Sequence, residues 1–162
     1  MFKKILVALD RSGLGQTVFA EALALATSIN ADLMLLNVLS PSDQGYPTPI
    51  YPGADSVYTS IHEEALKAYA VKWHEYEQQG LELLRLLAQE ASAAGVMAEF
   101  SQNIGDPGQA ICQVADTWGA DLIMMGRRGR SGLSELVLGS ASNYVLHHAP
   151  CSLLAVQGKP EV

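Results

Sequence analysis

At 162 residues the chain has the length of one domain and can bury roughly two thirds of its unfolded surface. Apolar residues make up 49% and charged ones 17%, an ordinary balance for a globular protein. A formal net charge of −7 excludes a general affinity for nucleic acid or anionic lipid, so any anionic ligand must be held by a local site.

The chain opens on "MFKKILVALD", whose apolar run ends at Asp10. It is too short for a signal-peptide core, and no later stretch approaches membrane-spanning length. Cys112 and Cys151 lie far apart and match no metal or redox spacing, so a reduced, cytoplasmic protein is expected. "KKILVALD" reads as a strand buried on both faces. Ser12 is placed to cap a helix in which Val18, Ala22, Leu25, Ala26 and Ile29 recur at helical spacing. "ADLMLLNVLS" is a second buried strand. Residues 41 to 60, with four prolines and three tyrosines, cannot be a regular element, and a loop of that length is functional or disordered.

A helical run follows from about Ile61 to Ala94, with Leu66, Tyr69, Trp73, Tyr76, Leu84, Leu87 and Ala91 on one stripe and Gly80 interrupting. Such a helix is about 50 Å long, more than a small sheet can cover. Either it breaks near Gly80 or its first half projects, and the stripe is either core or a surface for a partner. "GVMAEFSQNI" is a weaker third strand. "GDPGQAICQVADTWG" opens a helix with Asp106 as cap and Pro107 at the first position. "ADLIMMG" is a fourth strand, "SASNYVLHHA" a helix and "CSLLAVQG" a fifth strand. The alternation predicts an α/β fold, a single domain over 1–162 with an open five-stranded parallel sheet and helices on both faces.

The stretch "MMGRRGRSGLSELVLGSASNYVL" carries the chemistry. It leaves the fourth strand at Gly126 and reaches the last helix at Gly139 and Ser140, with Gly129 between. A helix start offers unpaired N–H groups and partial positive charge, and glycine lets the backbone come close to phosphate oxygens. Ser140 adds a hydroxyl, and Arg127, Arg128 and Arg130 add charge. Ligands in such sheets sit outside the carboxyl ends of the strands where the strand order reverses. With the order 3-2-1-4-5, Asp10 ends the first strand and faces Gly126 across that crevice. Its carboxylate suits a ribose hydroxyl, or Mg²⁺ or Mn²⁺ on the phosphates; the alternative is that it only ties the turn into the first helix. No G-x-x-x-x-G-K-[ST] occurs, and the dinucleotide fingerprint begun by Gly13-Leu-Gly15 fails at Val18.

The spacing G-x2-G-x9-G-[ST], the aspartate ending the first strand and the "GDP" before the third helix resemble the universal stress protein family, in its ATP-binding branch, over nearly the whole chain. The resemblance implies the 3-2-1-4-5 sheet, a homodimer, a role in the stress response, and ATP (or AMP or ADP) bound without rapid turnover. By position it assigns the first strand's end, Ala8, Leu9 and Asp10, to the ribose side and Val38 to adenine. Met125, Gly126, Arg127, Gly129 and Arg130 would line the ribose and phosphates, with Gly139, Ser140 and Ala141 on the phosphates. "CSLLAV" departs from the family, which more often has proline after the cysteine.

For hydrolysis, only Glu135, His147 and His148 are offered as base or orienting group, and the histidines suit a helix C-terminus better. His62 and His74 are too far apart for a shared helical zinc site, and both cysteines read as inert. The expected function is an adenine-nucleotide-binding regulator with an unknown protein partner, a homodimer through the apolar last strand, and a higher oligomer through the long helix as an extension. A slow ATPase or a phosphotransferase acting through Ser131, Ser134 or Ser140 is the enzymatic alternative, and a nucleotide-free dimerisation module the third.

Overall fold

Ile5, Leu6 and Val7 are inaccessible to solvent, which in a strand means that both faces are covered. The computed structural model, which describes residues 1–49, 59–127 and 139–158, shows what covers them. Five strands, β1 (Lys4–Leu9), β2 (Asp32–Leu39), β3 (Ala98–Ile104), β4 (Leu122–Gly126) and β5 (Ser152–Val156), alternate with helices α1 (Gly13–Ile29), α2 (Thr59–Ala93), α3 (Pro107–Trp118) and α4 (Ser140–His148). All strand pairs are parallel and the order is β3-β2-β1-β4-β5, as expected.

Successive residues of each strand feed opposite cores. On one face Ile5, Val7, Leu33, Leu35 and Met124 meet Val18, Phe19 and Ala22 of α1 and Leu84 and Ala91 of α2. On the other, Leu6, Leu36, Ile123 and Met125 meet Ile111 and Ala115 of α3 and Val145 of α4. Each such leucine or isoleucine contributes about 1.5–3 kcal/mol by leaving water.

Helix starts follow local chemistry, with one correction. Asp106 caps α3 by accepting from the Gln109 N–H at 2.9 Å, and Pro107 takes the first position. Ser12 stands at the N-cap of α1 but its side chain caps nothing. Its hydroxyl is oriented by a charge-assisted bond to Asp10 Oδ1, and its oxygen accepts no helix amide.

Helix α2 runs unbroken for 35 residues, and Thr59 and Ser60 belong to it rather than to the irregular segment. Gly80 therefore does not break the helix. A Cβ there would collide with the Gln102 amide, so the glycine is a packing notch. The first half of α2 projects: Leu66 is 68% exposed, whereas Tyr76 is 4% and Leu84 and Ala91 are 0% exposed on the same stripe. The stripe is thus core from Tyr76 onward only. Tyr46, from the described part of the loop, packs edge-on against Trp73 and Tyr76 at ring-centroid distances of 5.2 and 5.8 Å. The rest of that loop, 50–58, lies outside the described residues.

The amino end of β1 is pinned by Asp121, whose carboxylate accepts the backbone N–H groups of Lys3 (2.7 Å) and Lys4 (2.9 Å). These bonds hold its carboxyl below the ordinary aspartate range. A depressed folded-state pKa gives stability that is present above the unfolded value, about 3.9, and lost as pH falls through the folded value. Asp121→Asn should therefore lower the urea midpoint relative to wild type at pH 7, with the gap narrowing as pH falls below about 3.9. A gap that persists undiminished in acid would show that charge at Asp121 is not the stabilising feature.

Candidate functional site

Strand β1 pairs with β2 on one side and β4 on the other, so the strand order reverses at its carboxyl end. There the fold leaves a cavity of about 1000 Å³. Its floor is Ala8, Leu36, Val38, Met125 and Ile111, an apolar surface suited to a flat ring. Leu9 and Asp10 rise at one side, Gly126 ends β4, and Gly139, Ser140 and Ala141 stand at the mouth of α4.

Asp10 has two differently engaged oxygens. Oδ1 accepts the Ser12 amide at 3.0 Å and the Ser12 hydroxyl, so the turn-forming role is real. Oδ2 takes no donor among the described residues, and a ligand hydroxyl or cation suits it. Helix α1 presses on the same residue: a Cβ on Gly15 would strike the Asp10 carbonyl oxygen and lie 2.9 Å from Oδ1.

Across the cavity the Gly126 carbonyl accepts the hydroxyl of the buried Ser142 at 3.1 Å, which joins the end of β4 to the first turn of α4. A Cβ on Gly126 would lie 2.6 Å from Leu14 Cδ2. Gly139 is the N-cap of α4 at φ −54°, ψ 158°, and the Asn143 N–H closes the first turn on its carbonyl at 2.9 Å. The amides of Ser140, Ala141 and Ser142 precede that bond and have no helical acceptor, which makes the mouth an anion seat.

Nine of the sequence-predicted residues thus line one cavity. Arg127 does not line it: its guanidinium donates to Gln157 Oε1 at 2.9 Å and its amide to the Val156 carbonyl at 2.8 Å, at the end of β5. Gly129 and Arg130, with Arg128, Ser131, Ser134 and Glu135, lie outside the described residues. Sequence reasoning missed the β2 loop. Ser40, Pro41, Ser42 and Asp43 close the cavity, and Asp43 Oδ2 accepts the Ser40 amide and the Tyr76 hydroxyl, each at 3.1 Å. It also missed Gly15, and read Asp106 only as a helix cap although Asp106 and Pro107 are in the wall. No spacing rule announces a loop wall; Val38, near the end of β2, is indicated by the family resemblance alone.

The remaining candidates stand apart. His147 and His148 occupy the last turn of α4, where His148 Nδ1 meets the Tyr144 carbonyl at 2.8 Å and the two rings stack at 4.1 Å. Burial pushes the thiols of Cys112 and Cys151 up, the latter helped by Asp121 and Cys112, so neither offers a thiolate near neutral pH. Among the described residues no three metal-ligating side chains converge, and no helix is long and apolar enough to cross a membrane.

Comparison with known proteins agrees with this architecture. The chain is 39% identical to universal stress protein Sll1388 of Synechocystis sp. over 160 residues, 96% of this chain and 98% of that protein. Its fold superimposes on that of protein MJ0577 with a TM-score of 0.77 at 20% identity, covering 99% of both chains. It also superimposes on a universal stress protein family protein from Arabidopsis thaliana with AMP bound, with a TM-score of 0.60 at 20% identity, covering 98% and 93%. The sequence matches the universal stress protein family over residues 1–157, and the chain belongs to that family.

Proposed function

We propose that this chain binds ATP, or a related adenine nucleotide, in the cavity at the carboxyl ends of β1, β2 and β4, and serves as a regulatory homodimer in the stress response. The observation that carries the reading is the convergence of Asp10, Val38, Gly126, Gly139 and Ser140 on one cavity of about 1000 Å³. Its size and its mix of apolar floor and few polar groups suit a nucleotide. Adenine would lie on the floor by Val38 and Met125, a ribose hydroxyl on Asp10 Oδ2, and the phosphates at the mouth of α4. The AMP held by the Arabidopsis thaliana protein of similar fold supports the same ligand class.

Mg²⁺ or Mn²⁺ would arrive with the triphosphate. Asp10 Oδ2 would meet such a cation only as the alternative to a ribose hydroxyl, which fits a cation that is held mainly by phosphate oxygens. The second copy would pair at β5, which among the described residues is an edge strand joined only to β4 and on which Leu154 is 37% exposed.

Protein purified without added nucleotide should carry an adenine nucleotide, read as a raised 260/280 nm absorbance ratio and a ligand mass. On incubation with labelled ATP and Mg²⁺ it should retain about one nucleotide per chain. Steady product release would favour the slow ATPase or the phosphotransferase on Ser140, and no retention at all would end the nucleotide reading. Asp10→Ala should weaken ATP by about 1–3 kcal/mol through loss of a charge-assisted bond. An unchanged dissociation constant in calorimetry would return Asp10 to turn formation only.

A further inference from the structure

Asn37 is a polar side chain flanked by apolar residues, Leu33 to Leu36 before it and Val38 and Leu39 after it, and is only 2% exposed. Burying an amide costs free energy unless all its groups are paired, so its partners indicate what it is for. Its Nδ2 donates to the Leu9 carbonyl at 3.0 Å. Its Oδ1 accepts from Gln102 Nε2 at 3.3 Å, and the same Nε2 reaches the Glu77 carbonyl of α2 at 3.4 Å. The direction of this chain is forced, because both its ends are backbone carbonyls and can only accept. Gly80 completes the arrangement: any Cβ at that position would occupy the place of the Gln102 amide.

The Leu9 carbonyl belongs to the peptide plane that leads into Asp10, so fixing that oxygen fixes the plane from which the Asp10 side chain departs. Pairing of β1 with β4 ends one rung earlier, at Ala8 and Met125, and leaves Leu9 without a β4 rung beside it. The same turn of α2 also holds the next residue. Arg11 donates to Gln79 Oε1 at 2.5 Å and its guanidinium lies over the Tyr76 ring at 5.2 Å.

We infer that Asn37 and Gln102 form an amide relay, anchored on α2 through the Gly80 notch, that positions Asp10 for the ribose. Both are positioning residues, since neither lines the cavity. The inference rests on the nucleotide reading above, and on Asp10 as its ribose ligand. It gives the relay a specific signature: its loss should penalise recognition of the sugar and leave the phosphate end, held by α4 across the cavity, as it was.

Calorimetric dissociation constants for ATP, AMP and 2′,3′-dideoxy-ATP should be measured on wild type, Asn37→Leu and Gln102→Met. In both variants the preference for ATP over the dideoxy analogue should shrink about three- to tenfold, with the preference for ATP over AMP unchanged. If Asn37→Leu does not fold, Gln102→Met, at a half-buried position on the edge strand, decides alone. A sugar preference that survives, or a fall in both preferences alike, overturns the relay while the ribose assignment stands. A wild type that binds ATP without preferring it to the dideoxy analogue overturns the ribose assignment and the relay with it.

Discussion

Gly139→Val is expected to abolish nucleotide binding while the fold stands. The backbone at Gly139, at φ −54° and ψ 158°, is open to any residue, so valine introduces no torsional strain. What changes is the space in front of the first amides of α4, where a branched side chain would stand in the place of phosphate oxygens and shield the helix mouth from them. The expected loss is at least about 100-fold in ATP affinity, or about 2.7 kcal/mol. Valine is also a poorer N-cap than glycine, which costs roughly 1 kcal/mol of stability and a few degrees of melting temperature. Calorimetry at millimolar ATP and a thermal melt separate the two effects. Binding within a few-fold of wild type would mean that phosphates do not sit at α4.

Gly15→Ala should damage both stability and binding. The added methyl would meet the Asp10 carbonyl oxygen and lie 2.9 Å from Asp10 Oδ1. The first of these is backbone and has no rotamer by which to yield, so α1 must lift from the end of β1. Overpacking of that kind costs about 1–3 kcal/mol, seen as a melting temperature lower by roughly 3–10 °C. Because the displaced residue is Asp10 itself, ATP affinity should fall at least about tenfold as well. The contrast with Asp10→Ala is informative: that change removes the carboxylate with its two Ser12 bonds, whereas Gly15→Ala keeps the carboxylate and moves the segment that presents it. A Gly15→Ala protein with wild-type melting and affinity would show that α1 does not bear on the site.

These two glycines differ in how far they could be read from the chain. Gly139 belongs to a spaced motif between a buried strand and a helix, and the cavity wall includes it as the spacing suggests. Gly15 was legible only as half of a dinucleotide fingerprint that fails at Val18. Its actual partner is the Asp10 carbonyl, and the reason for a glycine there is a close approach of helix to strand. The sequence leaves open a break near Gly80 or a projecting first half, and the helix continues through Gly80 because neighbouring turns are held by packing against β2 and β3. Ser12 shows the opposite case: its position predicts a side-chain cap, yet its oxygen accepts no helix amide and its hydroxyl is held by Asp10 Oδ1.

By itself the amino-acid sequence determined the order of strands and helices along the chain, the parallel α/β class, the helix cap at Asp106 and the start of the last helix at Gly139 and Ser140. Hydrophobic period, capping and motif spacing act over a few residues to a few turns, and so are written along the chain. Only the tertiary structure decided that Asp43, held by the Tyr76 hydroxyl, closes the cavity, that the first half of α2 projects without a break, and that Asn37, Gln102 and Gly80 meet beneath Leu9. Asn37 and Gln102 are 65 positions apart, and their pairing depends on two strands lying side by side and a helix crossing them at one distance. Buried polar groups take whatever partner the packed sheet brings within reach, and no local spacing records which one that is.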